Sequence, residues 1–404
     1  MQTDSATIAA ATRAARNSYG RLVSLLASRG AGLAEAEDTL SDAFVAAMTQ
    51  WPRDGVPNSP DAWLYAVARR RMIDASRKTQ RLIDRVPEMV ILMEELATPE
   101  SVETLPDRRL TLLLACADPV VAEANRTALM LNVVLGLTAE EIAPLYLVSA
   151  KTMGQRLVRA KAHLRDAGVG FQEPERELLP QRLDPVLDAI YGAYTKSYSV
   201  SGYENSLTPE AIFLARIVAN LAQASEAFGL LSLVLHSEAR APARRSPEGA
   251  YIPFEEQSTT LWDKALLMEA EAALKSANTL PRTGRFQLEA AIQSARAAER
   301  ITGNDTREAV VQLYDHLHRL HPSTVVSLNR LVARARLSGS TAVIDEVRRI
   351  EECDGMADYQ PYWAARGALE AETGSEPEAR RAYSIALGLT RDPAIRAWLI
   401  RQCG

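Results

Sequence analysis

The sequence predicts an all-α protein built of two or three domains, and three observations predict it. Apolar residues recur at spacings of three and four in segment after segment, which stacks them along one side of a helix. Runs of β-branched residues are few, and prolines and glycines gather between the periodic segments instead of inside them. With 404 residues, 47% hydrophobic content and a mean hydropathy of −0.13, the chain is long enough to bury more than one core in water.

The same numbers exclude several classes. No run of about eighteen apolar residues occurs, and the N-terminus MQTDSATIAAATRAARNSYG lacks a basic start followed by an apolar core. No membrane association is therefore expected, and the expected location is the cytoplasm. Cys116, Cys353 and Cys403 are odd in number and scattered, which fits reduced thiols. The net charge is −5, yet Lys and Arg stand at 20 against 20 Asp and Glu through residue 170, and at 26 against 31 beyond. Any affinity for nucleic acid must come from local patches in the first half.

Taken in order, Ile8 to Ser28 reads as an opening helix. Leu33 to Trp51 follows, with Leu33, Leu40, Phe44, Ala47, Met48 and Trp51 on the core side and Glu35, Asp38 and Asp42 off it. RDGVPNSPDAW, Arg53 to Trp63, is a short loop with Ser59 or Asp61 as the cap of the next helix and Pro60 in its first turn. That helix, Trp63 to Arg81, combines aromatics with Arg69, Arg70, Arg71, Arg77, Lys78 and Arg81, a composition suited to single-stranded DNA. Arg71 lies seven residues after Leu64 and is expected on the core face, reaching outward along its stem, unless that face is wider than these residues mark. Leu82 to Pro106, with three prolines and five glutamates, reads as an acidic linker. Helices near Arg108 to Ala117 and Val120 to Leu135 lead into the most informative stretch.

GLTAEEIAPLYLVSAKTMGQRLVRAKAHLR, Gly136 to Arg165, reads as a helix-turn-helix. Thr138 and Glu141 form a capping box, Ile142 and Leu145 face inward, and Ser149 caps the second helix. There Met153, Leu157, Ala160 and Leu164 make a buried stripe, and the opposite arc carries Lys151, Thr152, Gln155 and Arg159 with Arg156 and Arg165 on its flanks. Every charged residue between Glu141 and Asp166 is basic, so this face can sit on phosphates while Gln155 or an arginine reads base edges in a major groove.

In this order, an acid-faced helix, a loop, an aromatic and basic helix, a linker and a helix-turn-helix, the segment Tyr19 to Arg165 resembles a bacterial sigma factor of the extracytoplasmic-function group. AEDTLSDAFVAAMTQW is similar to that family's polymerase-clamp helix, WLYAVARRRMIDASR to its −10 helix, and the helix-turn-helix to its −35 reader. The resemblance implies core RNA polymerase and promoter DNA as partners, with no catalysis, cofactor or metal. It implies that Asp38, Ser41 and Asp42 contact the clamp, although the family more often has Gln and Glu at the last two positions. It further implies that Asn58, Trp63, Arg69, Arg70 and Arg77 border the opened −10 strand, and that Ser149, Lys151, Thr152, Gln155, Arg156 and Arg159 serve −35 recognition. The expected architecture is two sigma-type helical domains, at 1–85 and 107–170, separated by a linker at 86–106.

The family usually ends soon after the position of Arg165, whereas this chain continues from 171 to 404. After the polar connector Phe171 to Pro180 the remainder reads as helix, interrupted by one long loop, Ala239 to Lys264. Trp363, Gly367, Gly374, Ala379, Tyr383, Ala386 and Pro393 stand close to a tetratricopeptide helix pair, and Leu313 to Gly339 is a degenerate neighbour. Stacked pairs of this kind offer a concave surface to a protein partner, so the C-terminal half is expected to regulate the sigma-like half in cis. His316, His318 and His321 do not share one helix face, so no metal site is expected there. A transcriptional regulator with a helix-turn-helix and a helical sensor is the alternative, but it leaves the helices around Asp38 and Trp63 without a role.

Overall fold

The computed structural model describes residues 19–28, 32–80, 108–146, 148–171, 179–199, 208–353 and 355–403, without the side chains of 75–80, 145, 179–181 and 196–199. Every regular element among them is helical, apart from one isolated bridge between Arg245 and Tyr251. The opening helix is described over 19–27 (α1), and the acidic linker expected at Leu82 to Pro106 lies outside the described residues. Contacts divide the chain into two compact units, Met1–Ala222 and Gln223–Gly404.

In the first unit, α2 (Leu33–Asp54) packs along α3 (Pro60–Gln80). Its buried stripe is Leu33, Ala36, Leu40, Ala43, Ala47 and Trp51, small residues at alternate steps that let α3 approach. Met48 is not on it. The side chain expected in the core is 43% exposed, and Phe44 is only half-buried, because the stripe turns through Ala36 and Ala43. Leu64, Tyr65 and Ala68 complete the packing from α3. Arg71, in line with Leu64 and Ala68, is half-buried and carries its guanidinium outward to the exposed Asp42 at 2.9 Å.

α4 (Arg109–Cys116), α5 (Glu123–Leu135), the single turn α6 (Ala139–Ile142), the 3-10 turn Ala143–Tyr146 and α7 (Ala150–Asp166) follow. Gly136 ends α5 in the left-handed conformation at φ 68°, which turns the chain without a Cβ penalty. Asn132 Nδ2 closes that corner by donating to the Leu137 carbonyl at 2.8 Å. Thr138 and Glu141 form the reciprocal capping box, and Met153, Leu157, Ala160 and Leu164 are the buried residues of α7.

α8 (Leu179–Ser199) and α9 (Thr208–Ala222) also belong to this unit. They pack on each other and on α4 and α5, with the Thr127 hydroxyl donating to the Ala189 carbonyl at 3.0 Å and the Arg109 guanidinium 5.8 Å from the Phe213 ring centroid. The contact division therefore falls after Ala222, whereas the sequence suggests its last boundary at 170/171.

The second unit runs from α10 (Ser225–Ala239) through α11 (Lys264–Asn278), α12 (Arg285–Thr302), α13 (Arg307–Leu320), α14 (Thr324–Ser338), the short α15 (Ile344–Arg349), α16 (Gln360–Glu372) and α17 (Glu376–Leu389) to α18 (Pro393–Cys403). α10 is buried nearly all round between α11 and α12, and its Glu226 caps α12 by accepting from the Phe286 and Gln287 amides at 2.9 and 3.0 Å. α16 and α17 form a tight pair in which a Cβ on Gly367 would stand 2.8 Å from the Tyr383 ring. Glu370 of this pair is fully buried between Arg348 at 2.7 Å and Arg366 at 3.6 Å, and the hydrogen bond from Arg348 holds its carboxyl below the usual carboxylate range. Of the three histidines, His318 lies 3.4 Å from the Ser327 hydroxyl.

The long loop between α10 and α11 is ordered as a strap. The guanidinium groups of Arg240 and Arg296 lie 4.8 and 4.2 Å from the Phe254 ring centroid, Arg296 and Arg336 share Glu255 at 3.0 and 3.2 Å, and Arg300 donates to the Gln257 carbonyl at 2.8 Å. At its other end Arg245 pairs with Asp392 at 2.5 Å and Tyr251 meets Trp398 edge-on. The strap thus touches α12, α14 and α18, helices far apart in the array.

Two outcomes are expected. A fragment ending at Ala222 unfolds in one cooperative urea transition, whereas one ending at Gly170 loses the cover of α4 and α5, has a lower midpoint and binds a hydrophobic dye; equal midpoints would refute this role for α8 and α9. Glu370→Gln destabilises the second unit by about 2–3 kcal/mol at pH 7, less than a fully buried pair because Arg348 is 39% exposed. Since the folded carboxyl is depressed, the difference is full above the unfolded carboxylate value of about 4.3 and vanishes as pH falls through the folded one, which urea melts across pH 3 to 7 would read.

Candidate nucleic-acid interface

The sequence-predicted residues fall into three surfaces of the first unit. On α7 the side chains of Lys151, Gln155 and Arg159 are exposed along one arc, and Thr152 and Arg156 are half-buried at its border. Ser149 is committed to capping, for its hydroxyl accepts the Thr152 amide at 3.1 Å and lies 2.8 Å from the Thr152 hydroxyl. These two hydroxyls therefore serve the helix start as well as the surface. The arc also carries Val158, 68% exposed, which the charge pattern gave no reason to notice. With helix amides and cations at its start and no acid before Asp166, this face suits a polyanion.

The second surface is the outer side of α2. Asp38, Ser41 and Asp42 are all exposed, and the stripe continues into Val45 and Met48, 66% and 43% exposed. An acidic start and an apolar end on one helix make a docking stripe for a protein, since exposed aliphatics beside carboxylates give both buried area and register. Sequence reasoning missed its apolar half, although Asp38 and Val45, and Ser41 and Met48, are each seven residues apart. Asp42 is not free in this stripe, being paired with Arg71.

The third surface is the start of α3 with the preceding loop. Asn58 is exposed, Arg70 exposed and Arg69 half-buried. Trp63 is half-buried, with its ring set edge-on to the buried Trp51 at 5.5 Å between centroids. An indole held that way is rigid, and a base can stack on it at little entropic cost. Arg77 lies on α3, but its side chain is outside the described residues.

The surfaces on α2 and α7 are brought close by a contact between residues far apart in sequence. Lys161 Nζ donates to both carboxylate oxygens of Glu37, at 2.8 and 2.7 Å, with the two side chains 22% and 12% exposed. Burial raises the Glu37 carboxyl above its ordinary value although Lys161 opposes the shift. Alongside, α1 lies against the end of α5: a Cβ on Gly20 would stand 2.1 Å from the Val134 carbonyl oxygen, and one on Gly136 would meet the Tyr19 ring at 2.9 Å. Burial, then Glu37 and Asp38, push the Tyr19 phenol up, and burial pushes the Cys116 thiol up to about 12. Among the described residues no group of three or more His, Cys, Asp or Glu side chains is placed to hold a metal ion, and no helix is long and apolar enough to cross a membrane.

Comparison with known proteins meets this geometry at two places. Residues 15–82 match the model of Sigma-70 region 2, the span that contains α1, α2 and α3. Residues 182–278 match a Family of unknown function (DUF6596), which runs from α8 to α11 and so crosses the division between the two units. An "Uncharacterized protein R00370" of Rhizobium meliloti (strain 1021) is 35% identical over 382 residues, covering 91% of this chain and 89% of that protein. No solved structure matches the chain.

Proposed function

We propose, from the premise that the chain belongs to the same family as the Rhizobium meliloti protein and carries a sigma-70 region 2 domain at its N-terminus, that it is a sigma factor of the extracytoplasmic-function type. It binds core RNA polymerase, directs it to promoters and catalyses nothing itself. The observation that carries this reading is the coincidence of the region 2 match with the exposed stripe Asp38, Ser41, Asp42, Val45 and Met48 on α2 and the basic and aromatic start of α3. The stripe docks on the polymerase clamp. Asn58, Trp63, Arg69, Arg70 and Arg77 take the opened −10 strand, with stacking on the indole and phosphate contacts from the guanidinium groups.

In this reading α6 and α7 are the helix-turn-helix for the −35 element. Lys151, Arg156 and Arg159 hold phosphates, with Ser149 and Thr152 at the backbone, and Gln155 reads a base edge. The second unit, with a tetratricopeptide-like pair at α16 and α17, regulates the first in cis through a contact with the holoenzyme or another protein. Its covalent attachment favours that role, since a tether raises the effective concentration of a weak contact to the order of millimolar.

Mixing the purified chain with core polymerase and testing for co-elution examines the reading directly. Asp38→Lys is expected to abolish co-elution at moderate salt. It is a cleaner probe than Asp42→Arg, which would also set two guanidinium groups against each other at Arg71. Retained binding by Asp38→Lys would remove α2 as the docking helix. Gln155→Ala is expected to relax discrimination at one −35 base pair by about 1–3 kcal/mol while leaving the stability of the chain unchanged. An identical response to a −35 mutation series in the variant and the parent chain would sink the assignment.

A further inference from the structure

We infer that the cleft where α12, α14 and α16 end is a binding site for a small zwitterion of the α-amino-acid type, with Arg336 taking its carboxylate and Glu372 its ammonium. The site lies in the second unit alone and holds or fails independently of what the first unit engages.

The cleft has a volume of about 490 Å³. Glu299 and Gly303 line it from the end of α12, Ala335 and Arg336 from the end of α14 and Glu372 from the end of α16, with Asp305 and Arg307 at the start of α13. Apart from Gly303 and Ala335 every lining residue is ionic, three carboxylates against two guanidinium groups. An apolar body has nothing to bury itself against here, so the ligand is small and charged. A lone anion would meet the carboxylates and a lone cation the arginines, whereas a molecule with one charge of each sign matches both.

The hydrogen bonds decide which of these charges a ligand can use. Arg307 is spent, since Nε and Nη2 donate to the two oxygens of Asp305 at 3.0 and 2.7 Å and Nη1 donates to the Arg336 carbonyl at 3.3 Å. Asp305 is spent on the same fork. Arg336 differs. Its half-buried guanidinium lies 3.2 Å from Glu255 and 3.6 Å from Glu299, yet it donates no hydrogen bond to any described residue. A fork of donors is therefore held beside carboxylates without being satisfied by them. Glu372 is the opposite case. Its carboxylate accepts the hydroxyl of the buried Ser340, and no cation among the described residues stands within ion-pair reach of it.

Both groups are positioned without a ligand's help, Arg336 by the hold of Arg307 on its carbonyl and Glu372 by Ser340, which keeps the cost of ordering them low. A carboxylate accepts two parallel hydrogen bonds from a guanidinium fork. An ammonium beside Glu372 gains as well from the C-terminal ends of α12, α14 and α16, where helix carbonyls carry partial negative charge. With only Gly303 and Ala335 as uncharged wall, the amino acid has a short or polar side chain.

Calorimetric titration of the full-length chain with the common α-amino acids, one at a time at millimolar concentration, tests the site. At least one with a short or polar side chain is expected to bind and to raise the thermal midpoint. Its N-acetyl and carboxamide forms, each lacking one charge, should bind at least about tenfold more weakly. Arg336→Gln should weaken the parent amino acid about tenfold and no longer distinguish it from its carboxamide. Glu372→Gln, an exchange at an exposed position, should do the same for the N-acetyl form while leaving the ligand-free midpoint unchanged. Absence of binding by every amino acid overturns the site, and so does binding that both variants leave intact. Equal binding of the parent and either singly charged form overturns the zwitterion.

Discussion

The burial of α4 constrains the first unit more than any other feature. Six of its eight residues, Thr111 to Cys116, are buried, so this short helix has no polar face to turn toward water. A helix of that length is marginal by itself and exists only if neighbours cover it on several sides. α5 covers one side, and α8 and α9 cover others. The chain beyond the sigma-like segment therefore begins as part of the same core. Its first two helices finish a hydrophobic enclosure that α5, α6 and α7 leave open, and that is the physical reason the contact division falls after Ala222.

The second unit solves a different problem. Stacked helix pairs bury one side of each helix against a neighbour and leave the faces of alternate helices in a row. Here that row is crossed by the chain itself, since Phe254, Glu255 and Gln257 of the strap engage Arg240, just past α10, and arginines of α12 and α14, while Arg245 and Tyr251 reach Asp392 and α18. The interactions are mostly guanidinium to ring, carboxylate or carbonyl, the geometry at which arginine excels. A loop so anchored offsets its ordering entropy with contacts to elements distant in sequence, and it ties the first helices of the array to the last.

Much of this was legible in the sequence, and the limits have physical causes. The stripe Met153, Leu157, Ala160, Leu164 and both caps of the 138–166 stretch are local, and local periodicity and hydrogen-bonding chemistry suffice to read them. The exposed residues Lys151, Gln155, Arg159, Asp38, Ser41 and Asp42 follow from the same argument turned outward. Met48 went astray because a stripe about twenty residues long can turn through alanines that hydrophobicity alone ranks below methionine and phenylalanine. The enclosure of α4 by α8 and α9, and the Glu37–Lys161 pair, join residues whose proximity only the folded chain creates. No spacing rule reaches that far.

The pairing of Glu37 with Lys161 also separates two properties that are easily conflated. A binding surface can be blocked by covering it, or it can be left open and held in the wrong place. In this chain the basic arc of α7 and the basic, aromatic start of α3 both reach solvent, so each can meet its ligand singly. On the reading proposed above these are the two DNA surfaces, and what matters is their simultaneous use on one promoter. Control of that kind acts on avidity, since two weak engagements become one strong one only when geometry allows both at once.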